Sequence, residues 1–86
     1  MAYFVYILQS EQDNSYYKGF TENPERRLSQ HNNGESRYTS RKMPWKLVYQ
    51  EEFLTKREAL QREKQIKRFN SVYLAQLIQN YKTKAG

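Results

Sequence analysis

The sequence predicts an α+β domain: a small three-stranded antiparallel sheet flanked by helices, in the order β-β-α-β-α-α. Three observations carry that expectation. A leading run of aromatic and β-branched residues is followed, across a polar turn, by a second such run; two segments open with helix-capping residues; and the C-terminal apolar residues recur at helical spacing. With 86 residues and no Pro/Gly/Ser-rich linker, residues 1–86 are expected to form one domain with a modest core.

Tyr3-Phe4-Val5-Tyr6-Ile7-Leu8 suits a pleated strand, and the turn-forming stretch 10–15 separates it from Tyr16-Tyr17-Lys18-Gly19-Phe20. Together they read as a β-hairpin. Asn23 offers a side-chain cap, Pro24 has the fixed φ that suits a first helical position, and Asn33-Gly34 supplies a stop, which predicts a short helix over 24–32. Its one clear aliphatic residue is Leu28, so packing on this helix is expected to be thin. Residues 34–44 contain Arg37, Tyr38, Arg41 and Lys42 without periodicity and read as an exposed basic loop. Residues 45–53 return to strand-like composition. Thr55-Lys56-Arg57-Glu58 fits a capping box and opens a helix running to about Phe69. Asn70-Ser71 caps a last helix, in which Tyr73, Leu74, Leu77, Ile78 and Tyr81 form a stripe. That stripe covers the sheet or pairs two copies, so a monomer and a weak homodimer both stay open.

Fifteen Lys/Arg against nine Asp/Glu leave a formal net charge of +6, and a basic excess on so small a body draws polyanions. Nucleic acid is the expected partner, DNA first with RNA still open, and an acidic membrane surface fits less well. Eight tyrosines can pack in a core, stack on bases or present hydroxyls. Cysteine is absent and histidine occurs once, which excludes a disulfide framework, a thiolate zinc site and a multi-histidine metal centre. Any metal therefore needs oxygen ligands. The apolar stretch 3–8 lacks a preceding charged region and is too short for a signal sequence or membrane span, so a cytoplasmic protein is expected.

Projected at about 100° per residue, Glu63 falls between Ala59, Leu60 and Ile66, on the face the helix should bury. An ionised acid is kept in such a place when it meets a cation, a metal or several donors. A rim position paired with Lys67 or Lys56 accounts for the same pattern. Arg27 and His31 share one face of the short helix, where a guanidinium could grip a phosphate and an imidazole could move a proton; a solvated face fits the spacing as well. The hairpin brings Tyr6 and Tyr17 onto neighbouring strands, either as facing phenols or as parts of an aromatic core.

In order and spacing these residues resemble the GIY-YIG nuclease family. Phe4-Val5-Tyr6 stands where the first tripeptide is expected and Tyr17-Lys18-Gly19 where the second is; Arg27, His31 and Glu63 within Arg62-Glu63-Lys64 follow. The resemblance reaches from Tyr3 to about Phe69. It is strongest toward the short stand-alone members similar to the N-terminal nuclease domain found in the excinuclease ABC complex, a likeness that Tyr38-Thr39 and Pro44-Trp45 reinforce. The first tripeptide lacks glycine, and Lys18 stands where the family name has isoleucine; neither departure removes a presumed catalytic side chain.

The resemblance implies a metal-dependent endonuclease that hydrolyses DNA phosphodiester bonds, in DNA repair or recombination, with one Mg2+ or Mn2+ held by Glu63, waters and a phosphate oxygen. It implies Tyr6 as general base, Tyr17 as the group that orients water or phosphate, and Arg27 as stabiliser of phosphoryl charge. His31 would position the phosphate or relay a proton to the leaving oxygen. A phenol with pKa near 10 is ionised in about one molecule in a thousand at pH 7, a handicap of roughly 4 kcal/mol, so a cation must lower it. Lys18, Arg27 and the metal are the candidates. Gly19 marks close approach to substrate or helix, or simply ends a strand. Arg37, Tyr38, Arg41 and Lys42 are candidates for contact with DNA backbone or unpaired bases, which an ordinary mobile basic loop explains nearly as well. No zinc-finger or helix-turn-helix pattern accompanies these residues, so cutting is expected to be structure-selective or weakly specific, with any targeting supplied by a protein partner. A non-catalytic basic nucleic-acid-binding module and a protein-interaction subunit are the two rival readings.

Overall fold

Strand β1 (Tyr3–Ser10) is the middle of a three-stranded antiparallel sheet, flanked by β2 (Tyr16–Thr21) and β3 (Trp45–Phe53) in the order β2-β1-β3. Helix α1 (Pro24–Asn32) links β2 to the loop before β3, and α2 (Lys56–Ile66) and α3 (Ser71–Ala85) follow the last strand. The computed structural model describes residues 2–85. The order β-β-α-β-α-α is the one the sequence predicts.

Both edges of β1 are paired and both of its faces are covered, so Val5, Tyr6, Ile7 and Leu8 are all at most 1% exposed. This explains why the run shows no apolar-polar alternation. Val5 and Ile7 pack with Val48, Tyr49, Ala59, Ile66, Leu74 and Ile78 beneath α2 and α3. Tyr6 and Leu8 face the other way, onto Trp45, Tyr17, Leu28, Met43 and Leu47. At about 1.5–3 kcal/mol for each fully buried aliphatic side chain, the first cluster is the larger source of stability. A register shift at Ile7/Leu8 lets Val48 and Tyr49, consecutive in sequence, both be buried.

The helix signals act as read, with three differences. Asn23 accepts from the Arg26 N–H at 3.1 Å, and Gly34 takes the left-handed φ of 76° that closes α1. Thr55 Oγ1 accepts from the Glu58 N–H at 3.2 Å to start α2. That helix ends at Ile66, short of Phe69, because the chain tightens into turns in which the Arg68 and Phe69 N–H groups donate to the Gln65 and Ile66 carbonyls at 3.0 and 3.1 Å. Leu60, expected on the buried face, is 41% exposed: the buried stripe runs through Ala59 and Ile66, and Leu60 stands one residue, about 100°, away from its centre. The third difference is the segment 34–44, which is not a free loop. It contains a 3-10 turn at Ser40–Lys42 and is tied down at both ends. Ser10 Oγ donates to the Lys42 carbonyl at 2.7 Å, and Asn32 brackets Trp45 with bonds of 2.9 and 2.6 Å to its carbonyl and N–H.

Among the described residues no helix is long and apolar enough to cross a membrane. The stripe of α3 covers its own sheet: Leu74 and Ile78 are buried and Tyr81 packs on Tyr49 with ring centroids 5.3 Å apart, whereas Tyr73 stays largely exposed.

Candidate active site

Tyr6 stands directly opposite Gly19 in the β1–β2 register. A Cβ at position 19 would lie 2.5 Å from the Tyr6 hydroxyl oxygen and 2.6 Å from Cζ, so the phenol ring reaches across β2 at the one residue that offers no side chain. The requirement is for space, since positive φ among the described residues falls only at Asn14 and Gly34. The two phenols are diagonal neighbours: Tyr17 pairs with Leu8, and the Tyr6 and Tyr17 rings are 6.4 Å apart.

Beneath the Tyr6 hydroxyl lies His31, whose Nε2 is 3.3 Å away and whose Nδ1 is 2.8 Å from Thr39 Oγ1. His31 is fully buried and is the one buried side chain of α1. The thin hydrophobic packing of this helix is thus completed by a polar residue with both ring nitrogens partnered. Burial, and then the Arg27 charge, hold the imidazole below its ordinary pKa, so it is neutral at pH 7. Burial also pushes the Tyr6 phenol above its ordinary pKa; Arg27 opposes this, while Tyr17 and the Glu63 charge reinforce it. Arg27 is therefore the cation that acts on the phenol, but burial outweighs it. Lys18 is not among those charges. Strand alternation puts it with Tyr16 and Phe20 on the α2 side of β2, away from Tyr17 and Gly19, so the proposed influence of Lys18 on the phenols is not supported.

Tyr6 is 1% exposed, whereas Tyr17, Arg27 and Glu63 are half-buried. Arg27 donates to Gln30 Oε1 at 3.0 Å and borders a cleft of about 340 Å3 shared with Thr21, Asn23 and Arg26. The Glu63 side chain is 18% exposed and meets Lys67 Nζ at 3.6 Å, so this acid sits at the margin of the buried face and is paired at i+4. Such a pair contributes about 0–1 kcal/mol, and the lysine can swing away. Among the described residues no three His, Cys, Asp or Glu side chains gather to hold a metal. The Glu63 carboxylate is a hard oxygen donor of the kind Mg2+ accepts together with waters.

Residues 2–74 match the family model for the GIY-YIG catalytic domain. This chain belongs to the GIY-YIG family. A UPF0213 protein of Staphylococcus saprophyticus is 45% identical over 69 residues, covering 79% of this chain and 83% of that one. A UPF0213 protein of Clostridium perfringens is 47% identical over 76 residues, covering 87% and 81%. The solution NMR structure of a UPF0213 protein from Bacillus halodurans superposes with a TM-score of 0.60 at 34% identity, covering 92% of this chain and 84% of that one. The family is a nuclease family, and these relatives are short stand-alone members of it.

The basic segment of this GIY-YIG chain adjoins Tyr17. Arg37, Tyr38, Arg41 and Lys42 line a hollow of about 470 Å3; Tyr38 is 69% exposed, with its ring 6.2 Å from that of Tyr17. Lys42 departs from expectation. It is half-buried and its ammonium meets Asp13 at 3.4 Å and Ser15 Oγ at 3.3 Å, so part of its charge is already committed to the hairpin turn. Sequence reasoning assigned no role to Thr39, which is fully buried against His31 and whose carbonyl accepts from Trp45 Nε1 at 2.9 Å. Its position after Tyr38 in a basic, unpatterned stretch carried no periodic signal for burial.

Proposed function

We propose that this GIY-YIG chain is a metal-dependent endonuclease that hydrolyses DNA phosphodiester bonds with structure-selective or weak sequence preference. The observation that supports this reading is the meeting of Tyr6, Tyr17 and His31 from three different elements, with the Arg27 charge, and more weakly that of Glu63, near enough to act on the Tyr6 phenol. Core packing alone gives no reason for a fully buried histidine and a buried phenol hydroxyl to meet beside an arginine.

Because burial raises the Tyr6 pKa, standing ionisation of the phenol would cost more than the roughly 4 kcal/mol an unshifted tyrosine faces at pH 7. A concerted transfer avoids that cost. Tyr6 takes a proton from the attacking water as its own proton passes to the neutral Nε2 of His31. The water oxygen forms the new bond to phosphorus, and the departing oxygen keeps the electron pair of the broken P–O bond and takes a proton from solvent. His31 then returns its proton to the Tyr6 oxygen as the phenol releases to solvent the proton it took from the water, which restores both groups. Both ring nitrogens of His31 are already partnered, one by the Tyr6 hydroxyl and one by Thr39, so its role here is behind the phenol rather than at the leaving oxygen. Arg27 offsets charge growing on the phosphoryl oxygens, and Tyr17 orients the water or the phosphate. Glu63 would hold one Mg2+ or Mn2+, which when bound neutralises further charge on those oxygens. Arg37, Tyr38 and Arg41 grip the strand beyond the site.

The test is cleavage of a panel of structured DNAs and RNAs with Mg2+ or Mn2+, comparing wild type with Glu63→Ala. We expect the variant to lose metal-dependent cutting and keep salt-sensitive binding. Undiminished cutting would refute the metal role, and binding without cutting by the wild type would favour a non-catalytic module.

A further inference from the structure

We propose that Thr39 is a positioning residue that fixes the tautomer of His31, holding the proton on Nδ1 so that Nε2 is left open to the Tyr6 hydroxyl. This rests on the nuclease reading above and names a residue to which that reading gives no role. Thr39 Oγ1 lies 2.8 Å from His31 Nδ1 and 3.5 Å from the Ser36 carbonyl, and both side chains are fully buried.

A carbonyl only accepts, and with the Thr39 hydroxyl proton turned toward Ser36, a long contact of 3.5 Å, its lone pairs face the imidazole at 2.8 Å. The imidazole answers with Nδ1–H. A neutral imidazole carries one proton, hence Nε2 accepts, and the Tyr6 O–H at 3.3 Å is the group aimed at it. The opposite tautomer would place an N–H against the phenol, leaving Nε2 unable to receive its proton. The backbone of Thr39 cannot drift, because its carbonyl is held by the Trp45 indole N–H and the Lys42 N–H donates to the same carbonyl at 3.1 Å. Segment 34–44 thereby connects to the reacting centre through one buried hydroxyl, while its arginines remain at the surface.

The experiment combines nitrogen NMR of the His31 ring in the wild type with kinetics of Thr39→Val and Thr39→Ser. In the wild type we expect the Nδ1–H tautomer. Thr39→Val keeps the shape but not the lone pairs, so its kcat should fall at least about tenfold with KM within about twofold, because the lost group orients a base and does not bind substrate. Thr39→Ser should restore most of the rate. An Nε2–H tautomer in the wild type overturns the proposal whether or not Thr39→Val folds. So does a Thr39→Val enzyme with wild-type kcat, or a loss that serine does not rescue. A wild type that cuts nothing overturns the nuclease reading instead, and the ring tautomer still decides the role of Thr39.

Discussion

Gly19→Ala isolates the steric basis of the site. The added methyl would stand 2.5 Å from the Tyr6 hydroxyl oxygen, 2.6 Å from Cζ and 3.0 Å from Cε1, and an ordinary contact begins near 3.4 Å. The ring must therefore retreat by about 0.9 Å, the difference between 3.4 and 2.5 Å, or the strands must part. It has little room, since Tyr6 is 1% exposed and packed with Leu8 and Trp45. Overpacking of this kind costs about 1–3 kcal/mol, offset by about 0.4–1 kcal/mol from the stiffer unfolded chain. A net loss of about 1–2 kcal/mol lowers Tm by roughly 5–15 °C in a domain of this size. The hydroxyl starts 3.3 Å from His31 Nε2, already long for a hydrogen bond, and a shift near 1 Å carries it out of range. Misplacement on that scale costs about a hundredfold in rate. The assay pairs a thermal melt with cleavage of labelled DNA. As a control, the same glycine substitution made in a Tyr6→Ala background should cost little, because the clash has no second partner. Wild-type melting and a wild-type rate for Gly19→Ala would show that the ring does not need this space.

The His31 environment makes stability depend on pH. Its folded pKa is depressed, so above about 6.5 both states are neutral, and as pH falls below that value the unfolded chain takes up a proton that the folded chain refuses. Melts between pH 7.5 and 5.5 should show stability falling by at most about 1.4 kcal/mol per pH unit, and His31→Gln should flatten this dependence. Equal slopes in both proteins would mean that His31 protonates freely in the fold. Replacing Arg37 and Arg41 with alanine should reduce the slope of log affinity against log salt by roughly 1.5, whereas Lys42→Ala should change it less, because that ammonium already meets Asp13. Competition titrations at several salt concentrations separate the two, and equal effects would place Lys42 on the nucleic acid as well. Tyr6→Phe should abolish cutting but also destabilise by about 1–3 kcal/mol, since it leaves a buried His31 nitrogen without its partner; a variant as stable as wild type would contradict that bond.

The sequence by itself determined the element order, because caps and turns are local chemistry. Asn23 before Pro24, Gly34 after the helix and Thr55 three residues before Glu58 act within one turn of chain, where neighbours in sequence are neighbours in space. The five motif residues were likewise readable in order and spacing, as was the basic excess. What only the tertiary structure decided is which side chains face each other and which are shut from water. The sheet order β2-β1-β3 pairs both edges of β1 and carries Tyr6 across Gly19; packing on either side of the sheet buries both faces of β1; strand alternation sends Lys18 to the far side; and the return of segment 34–44 sets Thr39 against His31. None of these has a periodic signature. A pKa, too, depends on burial and on charges brought close from distant parts of the chain, so the raised phenol of Tyr6 and the neutral imidazole of His31 belong to the fold rather than to any motif.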